Sequence, residues 1–229
     1  MNAEIICRPG NAAAKVSLGS EEHVTAEAGA MIAMSPDISV ETTTYKRDRR
    51  KGRIKKAMKR IFAGESFFLN HFTAGSGGGE LYLATNLPGD MEAVELSDAK
   101  LIVQSGSFVA SDSGIEMDVG WQGFKSMFSG ESLFWLNLSG SGTVILNSFG
   151  AIYTVDVKDE YIVDTGHIVA FDEGLSFAVT KAAKSWASSL LGGEGLVCKF
   201  SGTGRIYCQS HNANAFGQTL SPLLTPKKQ

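Results

Sequence analysis

The feature that most limits what this chain can fold into is its internal repetition. One glycine-anchored element reads VTAEAGAMIAMSPDISVET from Val24, LIVQSGSFVASDSGIEMDV from Leu101 and YIVDTGHIVAFDEGLSFAV from Tyr161. Gly29, Gly106 and Gly166 coincide, and Ala33, Ala110 and Ala170 each follow by four positions. A second element reads GESFFLNHFTAGSGGGELYLA from Gly64, GESLFWLNLSGSGTVILNS from Gly130 and GEGLVCKFSGTGRIYCQ from Gly193. Its starts are 66 and 63 residues apart. Repetition at a near-fixed period predicts one supersecondary unit used three times.

Within each copy the pattern is that of strands. Ile152–Val157 and Leu81–Ala84 are rich in β-branched, aromatic and aliphatic residues. Leu133–Leu138 is almost continuously apolar, which suits a strand buried on both faces. The chain has 26 glycines against 5 prolines, a turn-rich mixture that suits many short strands. The glycines at 75–79, 140–142 and 202–204 lie between apolar runs and are expected to form hairpin turns. Meanders of this kind bury one face against a partner sheet and form small sandwiches. Fused copies can also share and cover their sheet edges. Short segments with helical spacing lie between the halves, at 54–62, 121–128 and 181–191. The domains expected are 1–98, with a basic insert at 45–62, then 99–158 and 159–215, followed by a tail at 216–229.

The GESFF and GESLF elements, VDTGHIVAF at 163–171, and GEG with FSGTG at 193–204 resemble one family. It is the altered-inheritance-of-mitochondria type of TRAP-like proteins, TRAP being the tryptophan RNA-binding attenuator protein. The resemblance runs from about Val24 to His211. It implies an all-β protein of three tandem TRAP-like β-sandwich modules, of the short double-stranded β-helix kind, with short connecting helices. It also implies a homotrimer that forms a ring of nine modules. Two departures stand out. Gly202-Thr203-Gly204 replaces the family's Gly-Pro-Gly, and Gln209-Ser210-His211 replaces its Gln-Thr-Arg. The family brings no established catalytic residues, and its eukaryotic relatives are linked to mitochondrial inner-membrane organisation.

The net charge of −3 hides a segregation of charge. Lys46, Arg47, Arg49, Arg50, Lys51, Arg53, Lys55, Lys56, Lys59 and Arg60 crowd one segment that holds a single acidic residue, Asp48. That segment carries +9, so the rest of the chain carries −12. On a helix from Ile54, the side chains of Ile54, Ala57, Met58, Ile61 and Phe62 share a stripe opposite the basic face. This is the pattern of a helix lying in an anionic membrane interface. The other reading is an exposed loop whose apolar stripe docks on the protein itself. Nucleic acid is disfavoured, because Tyr45 and Phe62 only flank the basic run and no RNA-binding signature accompanies it.

Chemistry has little support. Glu65, Glu131 and Glu194 recur and could ring a cation, although a structural role is preferred. His23, His71, His167 and His211 lack zinc-ligand spacing. His167 near Asp164 invites a hydrolase-like triad, but there is no GxSxG elbow. Cys7, Cys198 and Cys208 fit free, buried thiols in a reducing compartment better than a disulfide framework. No stretch reaches the roughly 18 apolar residues of a membrane span, and the first ten residues do not read as a secretory signal. The expectation is a cytoplasmic, non-enzymatic scaffold or binding protein without cofactor, peripheral at the inner face of the membrane. The alternative is a small-ligand or nucleic-acid-binding ring.

Overall fold

The computed structural model describes residues 1–44, 68–120, 135–181 and 196–224. The expected helices at 54–62 and 121–128 lie outside these residues, as does the expected third helix beyond Lys181. The chain is all-β, as predicted. The strands before the basic segment are β1 (Asn2–Ile6), β2 (Ala13–Leu18), β3 (His23–Glu27), β4 (Met31–Met34) and β5 (Ile38–Thr44). β6 (Phe68–Ala74), β7 (Gly79–Leu83), β8 (Met91–Gln104), β9 (Phe108–Asp112), β10 (Ile115–Gly120) and β11 (Trp135–Asn147) follow. The last are β12 (Ile152–Val157), β13 (Glu160–Asp164), β14 (Ile168–Asp172), β15 (Leu175–Lys181), β16 (Leu196–Gly202) and β17 (Gly204–Gln209). Among the described residues there is one α-helix, α1 (Ala213–Leu220), capped by the Asn212 side chain, which accepts from the N–H groups of Asn214 and Ala215.

Hydrogen bonding repeats one pattern along the chain. One kind of set has the orders β2-β7-β4, β8-β11-β9 and β12-β17-β14, and the other kind β3-β6-β5, β8-β11-β10 and β13-β16-β15; the β9–β3 and β14–β8 ladders join sets of both kinds into one sheet. The long strands β8 and β11 belong to a set of each kind. Met91–Leu96 pairs with Gly142–Asn147, and Ala99–Gln104 pairs with Trp135–Gly140. The domain boundary expected at 98/99 thus lies inside β8, beside Asp98 with its positive φ of 48°.

The glycine clusters differ from the sequence expectation. β6 and β7 lie in different sheets, and so do β16 and β17. The glycines at 75–79 and 202–204 are therefore corners between layers, and those at 140–142 lie inside the continuous strand β11. The reason is conformational. Gly140, Gly142 and Gly202 have φ of +128°, +140° and +117°, and the β8–β11 register shifts between Gly140 and Gly142. At Gly202 the chain passes from one sheet to another, and at Gly140 and Gly142 the continuous strand β11 bends and shifts register, as at a β-bulge. Each corner is held by the same capping contact. Ser35 Oγ accepts from the Glu80 N–H at 2.9 Å, and Asp112 Oδ2 and Asp172 Oδ2 accept from the Thr143 and Arg205 N–H groups, both at 2.8 Å.

The core forms three clusters. One gathers Val16, Phe72, Leu81 and Ile145, and another Leu101, Phe108, Leu136 and Tyr207. The third holds Trp135, Phe171, Phe200, Cys198 and Cys208. Phe171 meets Trp135 and Phe200 edge-on at 5.3 and 5.0 Å, a geometry that favours aromatic pairs. All three cysteines are free. Cys198 and Cys208 are buried as expected, whereas Cys7 is exposed. Burial pushes the two core thiols up, to about 12 for Cys198 and about 11 for Cys208. Cys7 stands in the turn after β1, outside any sheet face.

A side chain at Gly140 would need its positive φ and would meet the Gly114 carbonyl oxygen. Gly140→Ala is expected to cost at least about 1–3 kcal/mol in a denaturant titration. Gly10→Ala, with nothing near its Cβ, is the matched control and should stay within about 0.5 kcal/mol of wild type.

Candidate functional site

All ten basic residues from Lys46 to Arg60 lie outside the described residues. So do Glu65, Glu131 and Glu194. Thr44 and Phe68 are direct register partners on β5 and β6, so the chain leaves and re-enters the sheet at one point on either side of the basic segment.

The histidines are engaged singly. His167 Nδ1 lies 2.8 Å from the Gln209 carbonyl oxygen, while the Asp164 carboxylate accepts from the Gly166 N–H. His167 and Asp164 therefore serve the local backbone and do not form the relay a triad needs. His211 Nδ1 meets Ser210 Oγ at 2.8 Å, and His71 lies between Thr25 and Thr43. Among the described residues no group of three or more His, Cys, Asp or Glu is placed to hold a metal ion.

Two strand edges stand out. β3 pairs with β9 through Val24↔Asp112, Thr25↔Ser111 and Ala26↔Ala110. β8 pairs with β14 in the corresponding register, Leu101↔Asp172, Ile102↔Phe171 and Val103↔Ala170. The counterparts of these strands at the two ends of the series are β4 and β13. Each ends its sheet, with no neighbour beyond it among the described residues. Ala110 and Ala170 are fully buried, but Ala33 on β4 is exposed. Ile32 and Ile162 stand 60% and 59% exposed, and Met31, Met34 and Tyr161 are exposed beside them.

Between the layers lie two corresponding grooves. The first is filled: β1 pairs along the outer edge of β2, from Asn2↔Ser17 to Ile6↔Ala13. Met1, Ala3 and Ile5 pack on the core that contains Ile145 and Val109. The Met1 ammonium donates to Asp112 Oδ1 at 2.8 Å, and Glu22 lies 3.8 Å away. The hydrogen bond to Asp112 holds that ammonium above its usual pKa, against the opposing effect of burial. Arg8 then clamps the β1–β2 turn by donating to Asp90 and Glu92. The second groove is open, with a volume of about 780 Å³. The Glu92–Leu96 edge forms one wall, and Thr154, Asp172, Arg205 and Tyr207 form the other. Lys100 and Glu173 form an ion pair of 2.6 Å at its rim. Burial raises the Tyr207 phenol's pKa, opposed by the hydrogen bond from Arg205.

With this geometry in place, the wider comparison is decisive for the family. A model of the mitochondrial biogenesis AIM24 family matches residues 3–211, nearly the whole chain. The chain belongs to the AIM24 family. An uncharacterized protein of Streptococcus pyogenes serotype M6 is 30% identical over 200 residues, covering 86% of this chain and 80% of that protein. A Streptococcus pyogenes protein with a solved crystal structure superposes with a TM-score of 0.78 at 27% identity, over 97% of this chain and 99% of that one. Among the described residues, this AIM24-family chain has no helix long and apolar enough to cross a membrane.

Sequence reading missed both the open edges and the grooves. Their signal was present in the repeat: Ser35, Asp112 and Asp172 all stand six positions after the aligned glycines, and Asp112 and Asp172 face the grooves. Asp112→Ser removes the ammonium's partner but leaves a hydroxyl to cap Thr143, as Ser35 caps Glu80. Hydrogen exchange at residues 2–6 is expected to accelerate about fivefold or more, corrected for intrinsic rates. Because the ammonium's pKa is raised, this contribution is complete below its ordinary value of 8.0 and fades as pH climbs through the higher folded value. Wild-type protection of β1 should therefore fall toward that of the variant in alkaline buffer.

Proposed function

We propose that this chain is a non-enzymatic scaffold of three TRAP-like β-sandwich modules, which closes with two further copies into a homotrimeric ring. A module begins at each of β2, β8 and β12. The carrying observation is the pair of unmatched edges. Each internal junction pairs the strand before an aligned glycine with the strand after the next one, and β13 and β4 are the two ends that remain. An open, apolar strand edge is a template for pairing with another chain. Joined head to tail in the register of the internal junctions, Val163 would face Ala33, Ile162 would face Met34 and Tyr161 would face Ser35. Such a heterologous contact makes a closed ring when its rotation closes.

The ring's second task in this reading is peripheral attachment to an anionic membrane at the inner face, with the protein otherwise cytoplasmic. Ten Lys and Arg residues support it, each worth roughly 1 kcal/mol near an acidic surface, screened by salt. The common exit point at Thr44 and Phe68 means that symmetry would present all three segments on one face. Weak contacts on one face add by avidity.

Light scattering on a sizing column is expected to give three times the chain mass of 24.4 kDa. Ile162→Asp should shift it to the single-chain mass with an unchanged circular dichroism spectrum. A monomeric wild type, or a variant that keeps the full mass, would remove the ring. The membrane half is read separately, by co-sedimentation with vesicles containing phosphatidylserine. Wild type should pellet at low salt, whereas a chain with residues 46–62 replaced by a Gly/Ser linker should not. Equal, negligible pelleting of both would sink it.

A further inference from the structure

The open groove is the counterpart of a site that the chain already fills with its own first strand. The correspondence is fixed by pairing. Gly79, Gly142 and Gly204 pair with Leu18, Leu96 and Val157, so these positions match. Counting back, Ser17 matches Glu95, Val16 matches Val94 and Ala14 matches Glu92. Counting forward, Thr143 matches Arg205 and Ile145 matches Tyr207. The edge at Met91–Leu96, unpaired among the described residues, is thus the edge that β2 offers to β1.

The carboxylates match as well. Asp112 and Asp172 each use Oδ2 to cap a backbone N–H, at 2.8 Å in both cases. Asp112 Oδ1 holds the Met1 ammonium, whereas Asp172 Oδ1 has no hydrogen-bond or ion-pair partner among the described residues. The other charged groups lining the groove are occupied. Glu92 accepts from Arg8, Glu95 from Thr143 Oγ1, and Glu173 from Lys100. Arg205 faces Asp156 and the hydroxyl of Tyr207. Burial completes the comparison. Under β1, Ala14 and Val16 are fully buried, while their counterparts Glu92 and Val94 remain partly exposed.

We infer that the groove between the β8 edge and β17 is a strand-addition site. It takes an extended segment of another protein, antiparallel to Met91–Leu96, with a leading ammonium group on Asp172 and small or aliphatic side chains at alternate positions. Main-chain hydrogen bonds to a sheet edge supply affinity in this mode, and alternate side chains supply specificity. The occupant is assigned to a different protein because the first strand of each copy is already paired on its own β2. This site does not depend on ring closure or on the membrane reading.

The probe is the hexapeptide Met-Asn-Ala-Glu-Ile-Ile, the sequence seated in the filled groove, followed by a fluorescein-labelled lysine. Titrated with the full-length chain, its anisotropy should show saturable binding. Asp172→Ser, or acetylation of the peptide's amino group, should weaken binding by about tenfold, since each removes a charge-assisted hydrogen bond. The serine keeps a hydroxyl for the Arg205 N–H, and Asp172→Asn provides a second variant with matched melting. A benzophenone at the third peptide position should crosslink to β8 or β17. Absence of saturable binding, equal affinity of the free and acetylated peptides, or crosslinks confined to β2 would each overturn the assignment. Crosslinks only between protein copies would assign the groove to a second copy and overturn it equally.

Discussion

The structure depends on the pairing of strand edges between neighbouring sets of strands. A set of three strands in each of two layers is too small to bury an ample core, and it leaves open N–H and C=O groups at its margins. The β3–β9 and β8–β14 ladders address both problems at once. They unite β12-β17-β14-β8-β11-β9-β3-β6-β5 in one continuous sheet and draw the three core clusters together. They also set where the grooves fall. β14 pairs with only the second half of β8, at Leu101–Val103, so the first half stands away from it and opens a wedge beside β17.

The two grooves then differ for a simple reason. Among the described residues there is one extra strand, β1, and it lies beside the first set. Its ammonium, its alternating apolar side chains and the Arg8 clamp make the first groove part of the core. At the second groove the same edge and the same carboxylate persist without that strand, while Thr143 and Ile145 are replaced by Arg205 and Tyr207.

The glycine-marked corners were legible in the sequence because they rest on backbone constraints. Gly140 and Gly202 sit at positive φ close to a carbonyl oxygen, positions that only glycine occupies without strain. The strands were legible from their side chains. The layer assignment was not, since a glycine at a hairpin turn and one at a corner between sheets look alike in one dimension. The grooves were hidden for a related reason. Asp172 and Arg205 are 33 residues apart, and Glu92 is farther still, so only the long-range pairing brings them together. The basic segment was the most visible functional signal, because charge density is a local property of the sequence.

In the proposed ring, β13 of one copy continues β4 of the next in the register of the internal ladders. Cysteine crosslinking reads that register directly. A chain with Cys7→Ser, Met34→Cys and Ile162→Cys should, on mild oxidation, form covalent species ending at the trimer on a denaturing gel. Its partner with Met34→Cys and Tyr161→Cys is shifted by one residue, which turns the second thiol to the opposite face. That partner should remain largely uncrosslinked. Failure of the first chain to crosslink, or equal crosslinking of both, would rule out this ring contact.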